Sequence, residues 1–445
     1  MLEPQGTLIF LLLVVIFVGL MVWLILTKHL VLRVVAAMLA FLPAMAFGVV
    51  AVNKYFAYYQ TWSAMIGDLT GQSDQGTPQA PTMTTAAGMG LGKNKSISSW
   101  LNAKYAQNPS FAQDGFHFRE VVTGPKSHIT REVYIYLPPQ YFEKAYEHYR
   151  FPAIELLHGS PGNPESWINI MDVTDIYAQE LRAHTAQPAI LVMPDTNGGL
   201  QYNEQCLNQP GGQQDMTFVG KEVPDWVASP ASSLRVQPPG QMWGIAGYSE
   251  GGYCAANIAL QYASRFGFAG SFSGYFVPDP RSQVPAHNKP GGAPVLVNNF
   301  TRNPALRVRN TPLQYISRVP VGVVLPKFYL ASGTSDPESM KQLTEFSQLL
   351  QNREATVPID YVPGGGHTAG VWRAAVQWML PPMTNELFAL AQNHQKPTPA
   401  APPVNPKLAP GKLPLPASPL SPLVSSSPLG SAPLQVSLSL VHKSR

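Results

Sequence analysis

The stretch Met242-Trp243-Gly244-Ile245-Ala246-Gly247-Tyr248-Ser249-Glu250-Gly251-Gly252-Tyr253 holds an apolar run, a glycine-flanked serine and the start of a helical pattern, in that order. A compact apolar run such as Met242 to Ala246 suits a buried strand. The residues from Gly251 to Ser264 carry the spacing of a helix. Between them the chain satisfies G-x-S-x-G in strand, turn and helix context. A serine at the tip of so sharp a turn has a strained backbone, and Gly247 and Gly251 let neighbouring chain approach it. The helix that follows turns the positive end of its dipole toward the serine. Ser249 is therefore the expected nucleophile, weighed against the plainer reading of an ordinary glycine-rich turn.

Outward from this motif, between about Gly115 and Leu387, short apolar runs alternate with helix-like stretches. That rhythm predicts an α/β domain with a mostly parallel sheet flanked by helices. The expected strands are Phe116 to Val122, Arg131 to Leu137, Ala153 to Leu157, Ala189 to Met193, Met242 to Ala246, Gly267 to Phe272, Lys327 to Ala331 and Ile359 to Val362. The first two read as an antiparallel pair. A second clear helix runs from Glu338 to Gln351, where Met340, Leu343, Phe346, Leu349 and Leu350 recur at core-packing spacing.

After a G-x-S-x-G serine, the α/β-hydrolase fold places its acid and then its histidine further along the chain. Asp336 follows the strand Lys327 to Ala331 and His367 follows Ile359 to Val362 on a Gly364-Gly365-Gly366 loop, so the order is met, with Glu338 as the alternative acid. An oxyanion needs two backbone N–H donors. Glu250, directly after the serine, supplies one. The loop His158-Gly159-Ser160-Pro161-Gly162 supplies the other, at Ser160, because Pro161 has no N–H. His158 reads as a buttress of that loop. No metal and no cofactor is expected.

Charged residues are only 13% of the chain because both ends carry few, and the net charge of +4 sits partly on Lys407, Lys412, Lys443 and Arg445 of the tail. Nothing resembles a nucleic-acid-binding face. Leu8 to Leu26 and Val34 to Val52 are uncharged apolar runs near the ~20 residues a membrane helix needs. They predict two transmembrane helices (about 8–26 and 34–52) within residues 1–55. Lys28, His29 and Arg33 lie in the connection, which the positive-inside rule assigns to the cytoplasm. The localisation expected is the cytoplasmic membrane with the catalytic domain extracytoplasmic; the competing readings are a cleaved signal ending near Ala44-Met45-Ala46 and a single bent helix. Residues 56–110 read as a linker, 111–390 as the catalytic domain and 391–445 as a Pro-rich disordered tail.

Gly247 to Gly252, His158-Gly159-Ser160, the Asp336 loop, and Gly365-Gly366-His367-Thr368 with Val371-Trp372-Arg373 together resemble the Putative esterase family, over roughly Gly115 to Pro381. That family includes esterase D, feruloyl, acetylxylan and enterochelin esterases and the antigen 85 mycolyltransferases, and the resemblance is to exported, membrane-anchored actinobacterial members. It implies an ester substrate, a triad and an oxyanion loop at the positions above, and no metal. The antigen 85 enzymes use a Glu as the acid, which keeps Glu338 open. A lipid or cell-envelope glycolipid is the further substrate it suggests. The alternatives are acyl transfer to a cell-envelope lipid or sugar, hydrolysis of an aminoacyl lipid, and a non-catalytic surface binding module.

The chain has two cysteines, Cys206 and Cys254. In an exported domain they are expected to form a disulfide that staples a loop to the nucleophile helix; two free buried thiols are the alternative. Val277 to Pro326 reads as a long insertion with Arg281, Arg302, Arg307, Arg309 and Arg318. It is expected either to wall the acyl pocket, or meet an anionic head group, or to be a solvated loop.

Overall fold

The computed structural model describes residues 3–4, 6–56, 58–59, 62, 65–66, 97–108, 110–198, 205–280, 283–285, 296–320 and 322–395. The Asp68 to Lys95 part of the linker and the tail from Pro397 lie outside them.

Two apolar helices open the chain, α1 (Thr7–Leu26) and α2 (Leu30–Phe56). Thr27 to His29 separate them, so the single-bent-helix alternative does not hold. They pair antiparallel: the rings of Phe10 and Phe47 are 4.3 Å apart, and Lys54 Nζ donates to Thr7 Oγ1 at 3.0 Å. Both are long and apolar enough to cross a membrane, and their large apolar side chains are mostly exposed.

Eight strands build the main sheet: β1 (Phe116–Thr123), β2 (Thr130–Leu137), β3 (Ala153–Leu157), β4 (Ile190–Pro194), β5 (Gly240–Tyr248), β6 (Phe266–Phe272), β7 (Lys327–Gly333) and β8 (Ile359–Val362). Their order is β1-β2-β4-β3-β5-β6-β7-β8. The pairs β1/β2 and β2/β4 are antiparallel and the others parallel. The expected opening hairpin and parallel body are both present, and the order reversal at β4-β3-β5 sets loops from several strands at one edge.

Period-two alternation divides the strands between two cores. In β2, Val133, Ile135 and Leu137 enter one layer while Tyr134 and Tyr136 enter the other. The first layer is closed by α4 (Glu250–Gln261) and α6 (Pro337–Gln351), which bury Ile258 and Phe346. The second is closed by α3 (Val173–Arg182) and α7 (Ala369–Gln395), which bury Tyr177, Trp372 and Met379. Between α4 and α6 lies α5 (Pro304–Arg309), on the insertion.

One boundary is corrected. Within residues 56–110, read as a linker, Ile97–Gln107 is helical and buries Ile97 and Leu101 against the first core layer. Ile97, Trp100 and Leu101 recur at the three- and four-residue spacing of one helix face, a signal that the preceding Gly- and Ser-rich run obscured. At the other end, α7 continues to Gln395 through Pro381 and Pro382.

Candidate active site

β5 delivers Ser249 to the loop edge of the sheet. Its φ of 54° and ψ of −121° are rarely adopted by a residue with a side chain, as expected of a serine held at a sharp strand-to-helix turn. The turn is tight enough to demand glycine on both sides. A Cβ on Gly251 would lie 2.1 Å from the Leu157 carbonyl oxygen, and one on Gly247 would lie 2.2 Å from that of Gly251. Gly251→Ala must therefore push β3 away from α4, a backbone displacement expected to lower stability by about 3 kcal/mol. A urea denaturation midpoint unchanged from the wild type would contradict that packing.

The Ser249 hydroxyl donates to His367 Nε2 at 2.9 Å, and His367 Nδ1–H donates to Asp336 Oδ2 at 2.7 Å. Loops from the ends of β5, β7 and β8 thus meet. The last two loops are tied together, since Ser335 N–H donates to the Gly365 carbonyl at 2.7 Å and Gly364 N–H to Thr334 Oγ1 at 2.7 Å. A Cβ on Gly333 would strike the Gly365 carbonyl, so the contact is close along its length.

Asp336 is also the N-cap of α6, where its Oδ1 accepts from Ser339 N–H at 3.3 Å. One oxygen caps the helix while the other faces the imidazole. Burial pushes this carboxyl up, but hydrogen bonds from His367 and Ser339 outweigh it, so the group lies below its ordinary value. Glu338 sits instead on the exposed side of α6, accepting from Gln342 Nε2 at 2.8 Å. The sequence Asp336-Pro337-Glu338-Ser339 carried the signal: Asp followed by Pro is an N-cap and N1 pair.

The loop His158 to Gly162 runs against the serine, with a Cβ position on Gly159 only 3.2 Å from Ser249 Cβ. Ser160, joined to Pro161 by a cis peptide, lines the same cavity as Ser249, Glu250 and His367. His158 is fully buried. Its Nε2 accepts from Thr196 N–H at 3.1 Å, which leaves Nδ1–H to donate to the Gly159 carbonyl at 2.8 Å. The imidazole therefore ties the loop to the chain beyond β4. Trp372 braces the other histidine, its ring 5.2 Å from that of His367 and stacked 4.7 Å from Tyr248.

A cavity of about 840 Å³ opens over Ser249. Tyr275, Pro278 and Leu313 give it an apolar side, and Arg307 and Lys341 add charge. Among the described residues of the insertion, Val277 to Pro280, Arg307 and Leu313 line this cavity, as the wall reading expects. Cys206 and Cys254 form a disulfide with Cα atoms 5.7 Å apart, joining the loop after β4 to α4. Among the described residues no cluster of His, Cys, Asp or Glu is arranged to hold a metal ion.

Residues 128–383 match the family described as Putative esterase. An uncharacterized protein of Corynebacterium glutamicum is 23% identical over 246 residues, 55% of this chain and 55% of its own length. The MPT51 antigen of Mycobacterium leprae is 41% identical over 68 residues, 15% of this chain and 21% of that protein. The matches thus span about half or less of these relatives. Among solved structures, a ferulic acid esterase superposes with a TM-score of 0.50 at 18% identity, covering 62% of this chain and 99% of the other, a likeness of fold. With the match extending over more than half of its length, the chain belongs to the Putative esterase family, and its fold is that of the α/β-hydrolase superfamily.

Proposed function

We propose that this protein is a serine esterase that hydrolyses a carboxylic ester through an acyl-enzyme at Ser249. The observation that carries the reading is the continuous hydrogen-bonded line from Ser249 Oγ through His367 to Asp336. His367 takes the hydroxyl proton as Oγ bonds to the ester carbonyl carbon, and Asp336 holds the imidazole in the required tautomer and stabilises its charged form. The Ser160 and Glu250 amides receive the negative charge that develops on the carbonyl oxygen. The alkoxide leaves with the proton from His367. Water, deprotonated by the same histidine, then cleaves the acyl-serine.

The enzyme works at the outer face of the cytoplasmic membrane, anchored by α1 and α2. Supporting this are the cationic connection between two apolar helices, which faces the cytoplasm by the positive-inside rule, and a disulfide, which persists outside the reducing interior. Tyr58, just past α2, packs its ring 6.5 Å from that of Trp372, which in turn meets His367. The outer end of the anchor is thereby set beside the site, favouring an ester reached at the bilayer surface.

A fluorophosphonate probe tests the assignment. It should label Ser249 in the folded protein, and isotope-labelled acyl groups should pass to water; transfer to an added sugar or lipid alcohol would make the enzyme an acyltransferase, and no adduct would remove the catalytic reading. Asp336→Asn should lower kcat by about 10⁴-fold, whereas Glu338→Gln should leave it within about threefold, because an exposed carboxylate bonded to Gln342 does not orient the imidazole. The reverse ranking would move the acid to Glu338.

Glu250 predicts the alkaline limit. Burial, with the charges of Asp279 and Asp215 acting in the same direction and a backbone hydrogen bond at Gln205 opposing, pushes its carboxyl up to about 8. Burial thus favours its neutral form, and ionisation above about 8 sets a negative charge beside the oxyanion donor. Activity should fall as pH rises through that value, and Glu250→Gln should abolish the limb. Stability has the same sign. A carboxyl whose pKa rises on folding stabilises most below the unfolded value of 4.5 and loses that contribution as pH climbs toward about 8. An identical pH–rate profile for the Gln variant would refute this.

A further inference from the structure

Of the arginines on the insertion, Arg309 and Arg318 face solvent, whereas Arg307 lines the cavity over Ser249. Its Nε is shut away from solvent with no hydrogen-bond partner among the described residues. A guanidinium offers five donors in a planar fork that matches a carboxylate or a phosphate. Leaving that buried N–H unmatched is unfavourable unless a ligand completes it.

The wall that carries Arg307 is fixed. Next to it, Asn310 is buried and bound on all sides: its carbonyl accepts from Tyr253 Oη at 2.8 Å, and its Oδ1 accepts from Asn257 Nδ2 at 3.0 Å and from Gln261 Nε2 at 2.9 Å. Its own Nδ2 donates to the Leu306 carbonyl at 2.8 Å. Tyr253, Asn257 and Gln261 all lie on α4, the helix that begins at the nucleophile. Arg307 is therefore held in a set relation to Ser249, the arrangement that recognition of a group remote from the reacting bond requires.

Position adds chemistry. A second groove of about 560 Å³, lined by Phe300, Pro304 and Val308, shares Val277, Pro280 and Arg307 with the first. Arg307 stands where the two meet. Other charges line the first cavity: Asp279, and on α6 Glu338, Lys341 and Glu345. Lys341 has Glu338 and Glu345 as its neighbours along the helix face, so its charge is locally offset.

We propose that Arg307 binds an anionic group, a carboxylate or a phosphate, carried by the ester at the junction of the two grooves. The inference rests on the Ser249 esterase reading and names the chemical class of its substrate.

The test uses full-length protein in detergent, with Ser249→Ala as the background so that binding is measured without turnover. Two matched pairs are titrated calorimetrically: mono-p-nitrophenyl glutarate against p-nitrophenyl pentanoate, and an acylglycerol 3-phosphate against the corresponding monoacylglycerol. At least one anionic member should bind about tenfold or more tighter than its neutral partner, the range of a charge-assisted hydrogen bond; the pair that shows it identifies carboxylate or phosphate. Arg307→Ala should erase that preference and leave the neutral ligand unchanged, with Arg307→Lys retaining part of it. Equal binding within both pairs, or an Arg307→Ala loss shared by neutral and anionic members, overturns the proposal. Ester turnover by the protein with Ser249 intact tests the esterase reading separately, since that can fail while the anion preference stands.

Discussion

Ser249→Ala protein is expected to lose about 10⁶-fold in kcat toward any ester the enzyme turns over, the scale seen when the nucleophile of a serine hydrolase is removed. The loss is that large because no second nucleophile stands in the line formed with His367 and Asp336. His367→Ala should cost nearly as much, and the double variant little more than either single change, because the two side chains act as one unit. Residual rate above the background in water would come from the Ser160 and Glu250 amides and from binding alone. The measurement is single-turnover hydrolysis of a chromogenic ester alongside fluorophosphonate labelling. Activity within tenfold of the wild type in the Ser249→Ala protein would relocate the nucleophile.

The second large effect lies in stability. Removing the Cys206–Cys254 bridge, with its separation of 48 residues, restores to the unfolded chain a loop entropy equivalent to about 4 kcal/mol. For a domain of this size that is a fall in Tm of roughly 10 °C. Both sulfurs are buried, and Cys254 lies on α4 beside the turn that carries Ser249. The loop it holds includes Gln205, whose Oε1 accepts from the Asp279 backbone N–H at 2.8 Å on the cavity wall. Cys206→Ser/Cys254→Ser protein should therefore melt earlier and also show a raised KM, as the wall loosens. Alkylation of both thiols in unreduced, denatured wild type, or an unshifted Tm in the double variant, would contradict the bridge or its effect.

Much of this architecture is local and was legible for that reason. β3 and β8 have the bounds that apolar runs alone predict, and β5 and α4 flank Ser249 as the G-x-S-x-G context requires. β3, β5 and α4 each bury their own short run of side chains, so a periodicity of two or about four residues suffices to find them. The helix Ile97–Gln107 escaped because its apolar face is only a few residues wide and follows a stretch with no pattern.

What the linear chain determined about this protein is the set of elements, the order serine, acid, histidine, and two apolar helices ahead of an α/β domain. Tertiary structure set Asp336 against the imidazole and Glu338 against Gln342, a contact that depends on how the N-terminus of α6 meets the loop after β8. It also set Arg307 into the nucleophile's cavity and Tyr58 against Trp372. These are relations between side chains distant in the chain, and the packing of loops and helices around the sheet creates them.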